Sequence, residues 1–507
     1  MASSSSKEVP SSVLIVGSGV FGLSTAYALT QRPEFAHSKI TVLDRSPFPA
    51  PDGSSVDTSR IVRADYADIA YAQLCLEAQA LWRNSWWGDN AYHEDGLVIA
   101  IKNAADAKGA ADGEDHSHGV ANLTGREYMR RSLENVQRLG LKEAPGGDVE
   151  VLPDMSRVRD AFHQTGNDKR GDGKAGMTFD ADMGYINRRS GWVDATAALT
   201  NLRRRCEATG RINFVTGQAK RLIYTRPSSP QHTRYTVSGV TLTDSTTLTA
   251  DLTILATGAW TPSLLDLRGR ASATGQIVGY IALSPAETST LSQNPTILNE
   301  STGLFIITPS AEHLKVARHG YGYANPTTIP NPEPRPLYYY SSSSSADDKY
   351  EESITVSLPQ TQWDDGPSHS IPTEGQSSLR AFLRTTFPSL AERPFTQTRL
   401  CWYTDTAVGD WIISHHPEYD GLFVATGGSG HGFKFAPVVG EAIVQRVLGE
   451  EVRYGLSEKW GWPERKMGVD GGHEGDGQVW TEDWRGGRKG MVLAEEYKKG
   501  KTRETKL

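Results

Sequence analysis

Val13-Leu-Ile-Val-Gly-Ser-Gly-Val-Phe-Gly22 is the most informative stretch of this sequence. Its first four residues are apolar and mostly β-branched, which is typical of a buried parallel strand. A G-x-G-x-x-G pattern follows, and residues 23–29 continue with a helical pattern. A second apolar run over residues 39–43 ends at Asp44. This order of strand, glycine-rich turn, helix and strand predicts a Rossmann-like α/β unit.

The glycines and the acidic residue of this unit indicate a dinucleotide ligand. Gly17 makes the tight turn, Gly19 allows a pyrophosphate to approach the backbone, and Gly22 allows the helix to pack on the strand. The helix N-terminus offers N–H groups to the phosphates, and Asp44 can accept hydrogen bonds from a ribose hydroxyl. The acidic residue disfavours the 2′-phosphate of NADP, which leaves FAD and NAD. The alternative is a glycine-rich turn in another kind of α/β protein.

Composition and charge argue against several other classes of protein. The chain has 507 residues, a net charge of −7 and three widely spaced cysteines. Its mild acidity gives no electrostatic reason to bind nucleic acid. The cysteine spacing predicts neither a disulfide framework nor a CxxC metal site, and it suits a reducing compartment. We expect no signal region and no membrane contact, because neither end nor middle carries a long apolar run.

The stretch Ala250-Asp-Leu-Thr-Ile-Leu-Ala-Thr-Gly-Ala-Trp260 combines an apolar strand with a final Ala-Thr-Gly. It resembles the closing strand of two-dinucleotide-binding flavoproteins, where the glycine, here Gly258, brings the backbone close to the adenosine end of the cofactor. Residues 421–427 repeat the pattern of a strand followed by glycine, and residues 438–448 predict an amphipathic helix.

Residues 276–321 contain several runs of aromatic and β-branched residues and predict an antiparallel sheet, the floor of a substrate domain. Lys315 lies within this sheet and, taken alone, equally fits a solvent-facing strand position. If the segment is helical, the spacing places Arg60 and Arg63 on one face, where a solvated helix end is the alternative to a ligand site. Cys401, within Arg399-Leu-Cys-Trp-Tyr403, alone predicts only a small buried hydrophobe.

Polar segments predict surface insertions at residues 103–122, 164–175 and 326–353. The first contains His116 and His118, but no further ligand lies at a metal-site spacing, so we expect no metal. The tail from residue 455 is rich in glycine, tryptophan and charge, and we expect it to wrap the surface or to be partly disordered.

Four separated motifs, in the right order, resemble the flavin-dependent amine oxidases of the monomeric sarcosine oxidase group. This group lies in the D-amino-acid-oxidase-like superfamily and includes L-pipecolate, L-saccharopine and fructosyl amino acid oxidases. The resemblance covers residues 12–102, 176–325 and 380–450. The motifs are Ser59-Arg-Ile-Val-Arg63, Leu314-Lys-Val, Cys401-Trp-Tyr-Thr-Asp-Thr406 and Gly428-Ser-Gly-His-Gly-Phe-Lys-Phe435.

The resemblance implies an α/β fold of the glutathione-reductase type with two domains. Residues 12–102, 176–270 and 395–450 would form a discontinuous Rossmann-like FAD-binding domain. Residues 103–175 and 271–394 would form an α+β substrate domain on a mostly antiparallel sheet. Residues 451–507 would form a C-terminal tail.

The resemblance also implies roles for matching residues. Cys401 would carry FAD through a covalent 8α-S-cysteinyl thioether. Lys315 would help to activate dioxygen, because a fixed positive charge stabilises anionic superoxide. Arg63 and Lys434 would hold the substrate carboxylate, a task suited to paired cations.

The remaining implied positions surround the flavin. Arg60 would lie by its ring as a catalytic residue with Lys315, and Tyr403, also counted as catalytic, would face the substrate pocket. The implied cofactor contacts are Gly17, Gly19, Val20, Phe21, Gly22, Asp44, Arg45, Ser59, Arg60, Gly258, Gly430, His431, Gly432 and Lys434.

The activity implied is oxidation of the C–N bond of a carboxylate-bearing secondary or cyclic amine to an imine, with O2 reduced to H2O2. The loop before Arg60 reads Ser54-Ser-Val-Asp-Thr-Ser59 and lacks the histidine of sarcosine-type enzymes, so it is closer to fungal saccharopine- or pipecolate-type members. One alternative is a secondary-metabolite oxidase for an N-methylated or aromatic amino acid. Another is a dehydrogenase that passes electrons to a protein.

Relatives of this kind are usually monomers, so a monomer is expected. The last three residues, Thr505-Lys-Leu507, resemble a peroxisomal address, although threonine replaces the usual small residue. We therefore expect recognition by the import receptor and a peroxisomal location, with the cytoplasm as the alternative.

Overall fold

The computed structural model describes residues 9–102, 122–162, 178, 181–227, 234–310, 312–335, 350–361, 371–466 and 477–504. The predicted insertions at 103–122 and 164–175, with His116 and His118, lie outside the described residues apart from residue 122, and so does Thr505-Lys-Leu507. The α-helices in the described ranges are α1 (Val20–Gln31), α2 (Ile69–Trp82), α3 (Gly125–Arg138), α4 (Met155–Asp160), α5 (Ala195–Ala208), α6 (Pro285–Leu291), α7 (Thr373–Thr386), α8 (Ala436–Leu448), α9 (Leu456–Lys459) and α10 (Leu493–Glu504).

The strands alternate with these helices in the first half of the chain and cluster in the second. They are β1 (Ser12–Val16), β2 (Lys39–Asp44), β3 (Arg60–Val62), β4 (Tyr92–His93), β5 (Leu97–Ile101), β6 (Val149–Leu152), β7 (Met183–Asn187), β8 (Gly191–Val193), β9 (Ile212–Thr216), β10 (Ala219–Thr225), β11 (Tyr235–Leu242), β12 (Thr247–Thr249), β13 (Leu252–Leu255), β14 (Ala271–Ala282), β15 (Thr296–Asn299), β16 (Leu304–Ser310), β17 (His313–Arg318), β18 (Pro326–Pro330), β19 (Ser353–Ser357), β20 (Gln397–Thr406), β21 (Ile412–His415), β22 (Tyr419–Asp420) and β23 (Leu422–Thr426).

A six-stranded sheet in the order β21-β23-β13-β1-β2-β9 forms the nucleotide-binding half of the molecule. Its neighbours are parallel except at the edge strand β21. Val13 to Val16 are almost fully buried, because helices α1 and α8 cover one face of the sheet and strands β10 and β11 of a small antiparallel sheet pack on the other. Each such aliphatic side chain contributes about 1.5–3 kcal/mol when it is buried. The predicted Rossmann-like unit is confirmed.

Close backbone contacts explain the glycines of this unit. Gly17 has φ +108°, and a Cβ there would lie 2.4 Å from the carbonyl oxygen of Ala256 on the neighbouring strand. A Cβ on Gly22 would lie 1.9 Å from the carbonyl oxygen of Gly17. Helix α8 packs against α1 in the same way, since a Cβ on Gly440 would lie 2.1 Å from the carbonyl oxygen of Ser24. A side chain at Gly22 would push α1 away from the turn after β1, and a side chain at Gly440 would push α8 away from α1.

An eight-stranded sheet in the order β20-β14-β17-β16-β15-β5-β7-β6 forms the other half. Its neighbours are antiparallel except for β5 and β15, so the predicted antiparallel sheet is confirmed. Cys401 pairs with Gln276, and Lys315 pairs with Tyr280. Because side chains alternate along a strand, these four residues share one face. The opposite face carries residues of a second hydrophobic core, such as Ile277.

Sheet membership departs from the predicted domain division at three strands. Strands β5, β7 and β20 belong to the eight-stranded sheet, although residues 12–102, 176–270 and 395–450 were assigned to the FAD-binding domain. The chain crosses between the two sheets more often than the sequence motifs indicate. A glycine motif predicts where a turn lies, but it does not predict which sheet contains the strand that follows. The division into two domains itself stays a prediction.

The helical placement of the arginine pair is wrong. Arg60 begins strand β3, which pairs with β8 through Arg60 and Val193. The partner strand lies far away in sequence, so the local spacing gave no sign of it. Arg60 and Arg63 are nevertheless close to one cavity, as described below.

The prediction of a surface or disordered tail is wrong for the described part of the tail. Leu456 and Trp460 are fully buried, and Arg485 is 6% exposed. Residues 484–492 run beside the segment after β17. There the backbone N–H of Tyr321 donates to the carbonyl oxygen of Gly486 (3.0 Å). The tail therefore closes one end of the eight-stranded sheet.

Some general features follow from the described residues alone. None of their helices is long and apolar enough to cross a membrane. They contain no group of three His, Cys, Asp or Glu side chains placed to hold a metal ion. Cys75, Cys206 and Cys401 are all buried free thiols.

Candidate active site

A large cavity lies between the two sheets. One wall comes from the strand ends and turns of the six-stranded sheet, and the other comes from the Cys401 and Lys315 face of the eight-stranded sheet. Gly22 lies behind the turn and not in the wall, which agrees with a packing role. The predicted site residues that line the cavity are Gly17, Gly19, Val20, Phe21, Asp44, Arg45, Ser59, Arg60, Arg63, Gly258, Lys315, Cys401, Tyr403, Gly430, His431, Gly432 and Lys434.

The glycine-rich turn forms one end of this cavity. Asp44 accepts hydrogen bonds from the backbone N–H and the hydroxyl of Ser18, both through Oδ2 at 2.7 Å. The N–H of Val20 at the start of α1 already donates to Ser55 Oγ (3.0 Å). This N–H is therefore not one of the free helix-end donors that the sequence predicts for the phosphates.

Arg45 lies at the same end of the cavity. Its guanidinium stacks over Trp260, with Cζ 4.2 Å from the ring centroid. Its Nη2 is buried, lies 3.7 Å from Oδ2 of Asp52 and makes no hydrogen bond to the described residues. A buried donor without a hydrogen bond beside an aromatic face fits a polar, planar ligand such as an adenine nucleotide.

Cys401 lies in the opposite wall beside a cation. Its Sγ is 3.4 Å from Nη2 of Arg60, and the side chain of Cys401 is 3% exposed. Arg60 also donates to the carbonyl oxygen of Ser54 (2.7 Å) and pairs with Asp57. The loop before β3 thus fixes the guanidinium against the sulfur.

Lys315 is buried in the same wall and is bound by two acceptors. Its Nζ lies 2.8 Å from Oδ2 of Asp57 and 2.7 Å from the carbonyl oxygen of Ser59. Burial lowers the pKa of Lys315 to about 8, against the opposing effect of the Asp57 carboxylate. The solvent-facing alternative for Lys315 is wrong, because the residue is 4% exposed.

Arg63 and Lys434 form a second cationic group. Arg63 is 7% exposed, donates to the carbonyl oxygen of Asp65 and has Nη1 3.8 Å from Oε1 of Glu300. Lys434 is equally buried and donates to the hydroxyl of Tyr66 (2.9 Å). Burial, with the nearby charge of Arg63, lowers the pKa of Lys434 to about 7. Two desolvated cations in one wall suit a negatively charged ligand group, and we call this part of the wall the anion site.

Both ring nitrogens of His431 are hydrogen-bonded within the protein, so this residue supports the anion site. Its Nε2 lies 2.9 Å from the carbonyl oxygen of Gly409, so Nε2 carries the proton. Its Nδ1 is then the acceptor for the Tyr66 hydroxyl at 3.2 Å. Burial lowers the pKa of His431 well below its usual range, so the ring is neutral.

Tyr403 packs on the glycine loop next to the cavity. A Cβ on Gly430 would lie 2.3 Å from Cε2 of this ring, so only glycine allows the contact. His319 lies near Tyr403, with ring centroids 5.9 Å apart, and also lines the cavity. Burial lowers the pKa of His319 well below its usual range.

Several site residues were not found from the sequence. They include His319, and the charged side chains Asp57, Glu300 and Arg485 around the cavity. Asp57, Glu300 and Arg485 are single residues without a local sequence pattern. His319 had one available signal, because it follows Lys315 by four residues and alternation along a strand would place both side chains on the same face.

Comparison with known proteins agrees with this architecture. The family profile described as FAD dependent oxidoreductase matches residues 12–446, and the chain belongs to this family. The predicted class of enzyme, its fold and its use of FAD are thereby confirmed.

The chain is similar to several fungal proteins over nearly its whole length. It is 34% identical over 470 residues to an amino acid oxidase (imqH) of Aspergillus flavus, with 87% of this chain and 93% of the relative covered. It is 29% identical over 456 residues to L-saccharopine oxidase of Schizosaccharomyces pombe, with 88% and 91% covered. A crystal structure of fructosamine oxidase (Amadoriase II) from Aspergillus fumigatus matches with a TM-score of 0.71 at 24% identity over 95% of both chains, which shows the same fold.

The residues present fit an FAD molecule. Gly258 has φ +52°, lines the cavity and would have no atom within 4 Å of a Cβ, so the backbone there is open to a ligand. Gly17 and Gly19 with Asp44 offer a phosphate and ribose cradle, and Arg45 Nη2 is a donor without a hydrogen bond at the adenine end. Cys401, Arg60 and Lys315 would then lie at the flavin end of the same cavity.

Proposed function

We propose that this protein is an FAD-dependent amine oxidase that acts on the C–N bond of a carboxylate-bearing secondary or cyclic amine, with O2 as acceptor. The observation that carries the proposal is the pair of cationic groups in one cavity, Arg63 with Lys434 and Lys315 with Arg60. The first group suits a carboxylate and the second suits a developing negative charge on oxygen.

The Arg63 and Lys434 group would bind and orient the substrate. Both cations are desolvated, so a carboxylate gains charge-assisted hydrogen bonds that water does not compete for. A fixed carboxylate places the neighbouring carbon and nitrogen at one point of the cavity. Orientation of this kind supplies a large share of rate enhancement in two-reactant steps.

FAD, when bound, accepts hydride from the carbon next to nitrogen and is reoxidised by dioxygen. Lys315 would supply the fixed positive charge for the oxygen step. The amine must be neutral to release hydride, because its lone pair drives formation of the imine. Activity should therefore rise as the pH increases from 6 toward the region where the amine loses its proton.

We also propose that Cys401 holds the flavin covalently through a thioether. The support is its position in the cavity wall and the cation 3.4 Å from its sulfur. A positive charge beside a cysteine favours the nucleophilic thiolate. A covalent link would keep the cofactor from dissociating.

Two classes of substrate deserve direct comparison. The chain is similar to enzymes named as saccharopine, sarcosine and fructosamine oxidases. The cavity wall carries apolar side chains, Leu298, Phe305 and Ile307, and also polar ones, Gln276 and His319. The apolar part suits the second candidate, an oxidase for an N-methylated or aromatic amino acid, and the polar part suits a substrate with a second polar group.

The cell compartment and the assembly state follow as further proposals. A peroxide producer is safer beside catalase, and Thr505-Lys-Leu507 resembles the peroxisomal address. We propose a monomer that the peroxisomal import receptor recognises. Import of a fluorescent fusion, lost when the last three residues are deleted, tests this proposal.

A visible spectrum before and after acid precipitation tests the cofactor assignment. Yellow colour in the pellet, absent from a Cys401→Ala variant, supports covalent FAD, whereas yellow colour in the supernatant leaves FAD but contradicts the thioether. A colourless protein that FAD cannot reconstitute would overturn the proposed function.

A peroxide-release screen then tests the reaction. Saccharopine, pipecolate, sarcosine and N-methylated aromatic amino acids should be compared at equal concentration. Flavin that an amine bleaches without peroxide release in air would instead support a dehydrogenase with a protein acceptor.

A further inference from the structure

A buried carboxylate, Asp57, lies at the centre of the cations in the cavity wall. Its side chain has no exposed surface. Oδ2 is 2.8 Å from Nζ of Lys315 and also pairs with Nη1 of Arg60. Oδ1 accepts from the Tyr280 hydroxyl (2.5 Å) and from the backbone N–H of Thr58 (2.7 Å). Both oxygens are therefore saturated with donors.

The groups that meet at Asp57 come from distant parts of the chain. Lys315 lies on β17, Tyr280 on β14 and Arg60 on β3, while Asp57 itself lies in the loop before β3. The backbone of Asp57 is fixed from a fourth element, because its carbonyl accepts from the N–H (3.1 Å) and the hydroxyl (2.9 Å) of Thr196 in α5. One carboxylate thus joins the two halves of the molecule at the cavity wall.

We propose that Asp57 is a positioning residue that holds Lys315 and Arg60 in place as a fixed pair of cations beside the cofactor site. Two cations that share a desolvated wall repel each other, and the carboxylate between them offsets that repulsion. The role assigned to Lys315 rests on the proposed function, but the placement of its ammonium group by Asp57 can be measured without catalysis.

Electrostatics around Lys315 supports the same assignment. The groups that act on it are Asp57, Arg60 and Cys401, and of these Asp57 raises the pKa of Lys315 while Arg60 lowers it. Arg60, Lys315 and Arg399 together hold the pKa of Asp57 well below its usual range, although burial alone would raise it. Loss of the carboxylate would leave Lys315 facing Arg60 without compensation, so its ammonium would give up its proton at lower pH.

The test is a pH titration of Lys315 by brief acylation with acetic anhydride, read by mass spectrometry on the purified protein with its cofactor. Asp57→Asn should shift the midpoint for Lys315 downward by about 1–3 pH units, the usual effect of a close opposite charge. Asp194→Asn is the matched control, because Asp194 caps the nearby helix α5 and asparagine caps equally well. It should leave the midpoint unchanged.

A second variant covers the case in which Asp57→Asn does not fold. Tyr280→Phe removes one donor from Oδ1 and keeps every charge, so we expect it to leave folding intact and to shift the Lys315 midpoint by a measurable amount that stays below 1 unit. In the holoenzyme, Asp57→Asn should slow reoxidation by O2 far more than anaerobic bleaching by the amine.

The outcomes separate this inference from the proposed function. An unchanged Lys315 midpoint in folded Asp57→Asn overturns the positioning role, as does a shift of equal size in Asp194→Asn. If Asp57→Asn does not fold, a Lys315 midpoint in Tyr280→Phe that matches the wild type also counts against the role. A shifted midpoint in a protein that oxidises no amine would keep the positioning role and reject only the amine oxidase.

Discussion

Nη2 of Arg60 lies 3.4 Å from Sγ of Cys401, across the boundary between the two halves of the molecule. The guanidinium is fixed by Asp57 and by the carbonyl oxygen of Ser54, so it cannot follow the sulfur if the wall moves. A thioether bond forms with the sulfur as nucleophile, and a fixed cation beside it can stabilise negative charge that develops on the sulfur. This contact gives Arg60 a testable role in flavin attachment.

We expect Arg60→Met to bind FAD but to lose most of the covalent attachment. Acid precipitation should leave the yellow colour in the supernatant, whereas Arg60→Lys should keep part of it in the pellet because the charge is retained. The measurement is the ratio of flavin absorbance in pellet and supernatant. Complete attachment in Arg60→Met would show that the cation is not needed.

A second prediction concerns the anion site. Arg63→Met should raise the KM of a carboxylate-bearing amine by about 10–100-fold, since a hydrogen bond to a charged group contributes about 1.5–3 kcal/mol. Steady-state peroxide assays measure the effect, and kcat should change less. Arg83→Met is the control, because Arg83 pairs with Glu94 outside the cavity wall. Equal KM values in both variants would remove Arg63 from the substrate site.

A third prediction concerns pH. The pKa of Lys434 is lowered to about 7, so this cation loses its proton on the alkaline side of neutrality unless a carboxylate is bound. The neutral amine, in contrast, becomes more abundant as pH rises. We therefore expect kcat/KM to rise, level off and fall, with the fall caused by an increase in KM. Lys434→Arg should remove the fall, because arginine stays charged; an unchanged profile would exclude Lys434 as its source.

The parts of the fold that could be predicted from the sequence are those determined by neighbouring residues. The G-x-G-x-x-G turn, Asp44 at the end of β2 and the buried strand β13 each follow from a short pattern, because close backbone contacts admit only glycine and buried parallel strands need continuous apolar residues. Lys315 and Cys401 were found through resemblance, and the structure adds that they share one face of a sheet.

The parts that failed depend on partners far away in sequence. Arg60 is in a strand because residues near 193 pair with it, and the tail is buried because it meets residues near 320. Asp57 and Glu300 carry no signature as single acidic residues in a sequence. Their importance becomes visible only when cations from other elements are seen around them.

A fourth prediction concerns the tail. Arg485 is buried, pairs with Asp405 and Asp483, and donates to the carbonyl oxygen of Ser429 (2.9 Å) in the glycine loop. Removing one partner of a buried ion pair costs about 3–5 kcal/mol. Arg485→Met should therefore lower the thermal midpoint, measured by the rise of flavin fluorescence as the protein unfolds on heating. Arg488→Met, at an exposed position of the same tail, should leave the midpoint unchanged; a midpoint like the wild type in Arg485→Met would contradict the structural role.

The last prediction concerns Glu300, which lies behind Arg63 with no exposed surface. Neither of its carboxylate oxygens has a hydrogen-bond partner among the described residues, and burial raises its pKa to about 8 although Arg63 opposes the change. The folded protein therefore keeps a proton that the unfolded chain loses above its ordinary pKa of about 4.3. Stability from this group is complete at acidic pH and is lost as pH rises from about 5 to 8, at up to about 1.4 kcal/mol for each pH unit.

Glu300→Gln should abolish that loss. Thermal midpoints at pH 5.5 and 8 should differ less in the variant than in the wild type, and at pH 8 the KM of an anionic substrate should fall because Arg63 no longer faces a carboxylate. Glu287→Gln is the control, since its pKa is lowered to about 2 by Arg393 and its contribution stays constant over this range. A wild-type midpoint that falls no more than that of Glu300→Gln would mean that Glu300 is already ionised in the folded protein and paired with Arg63.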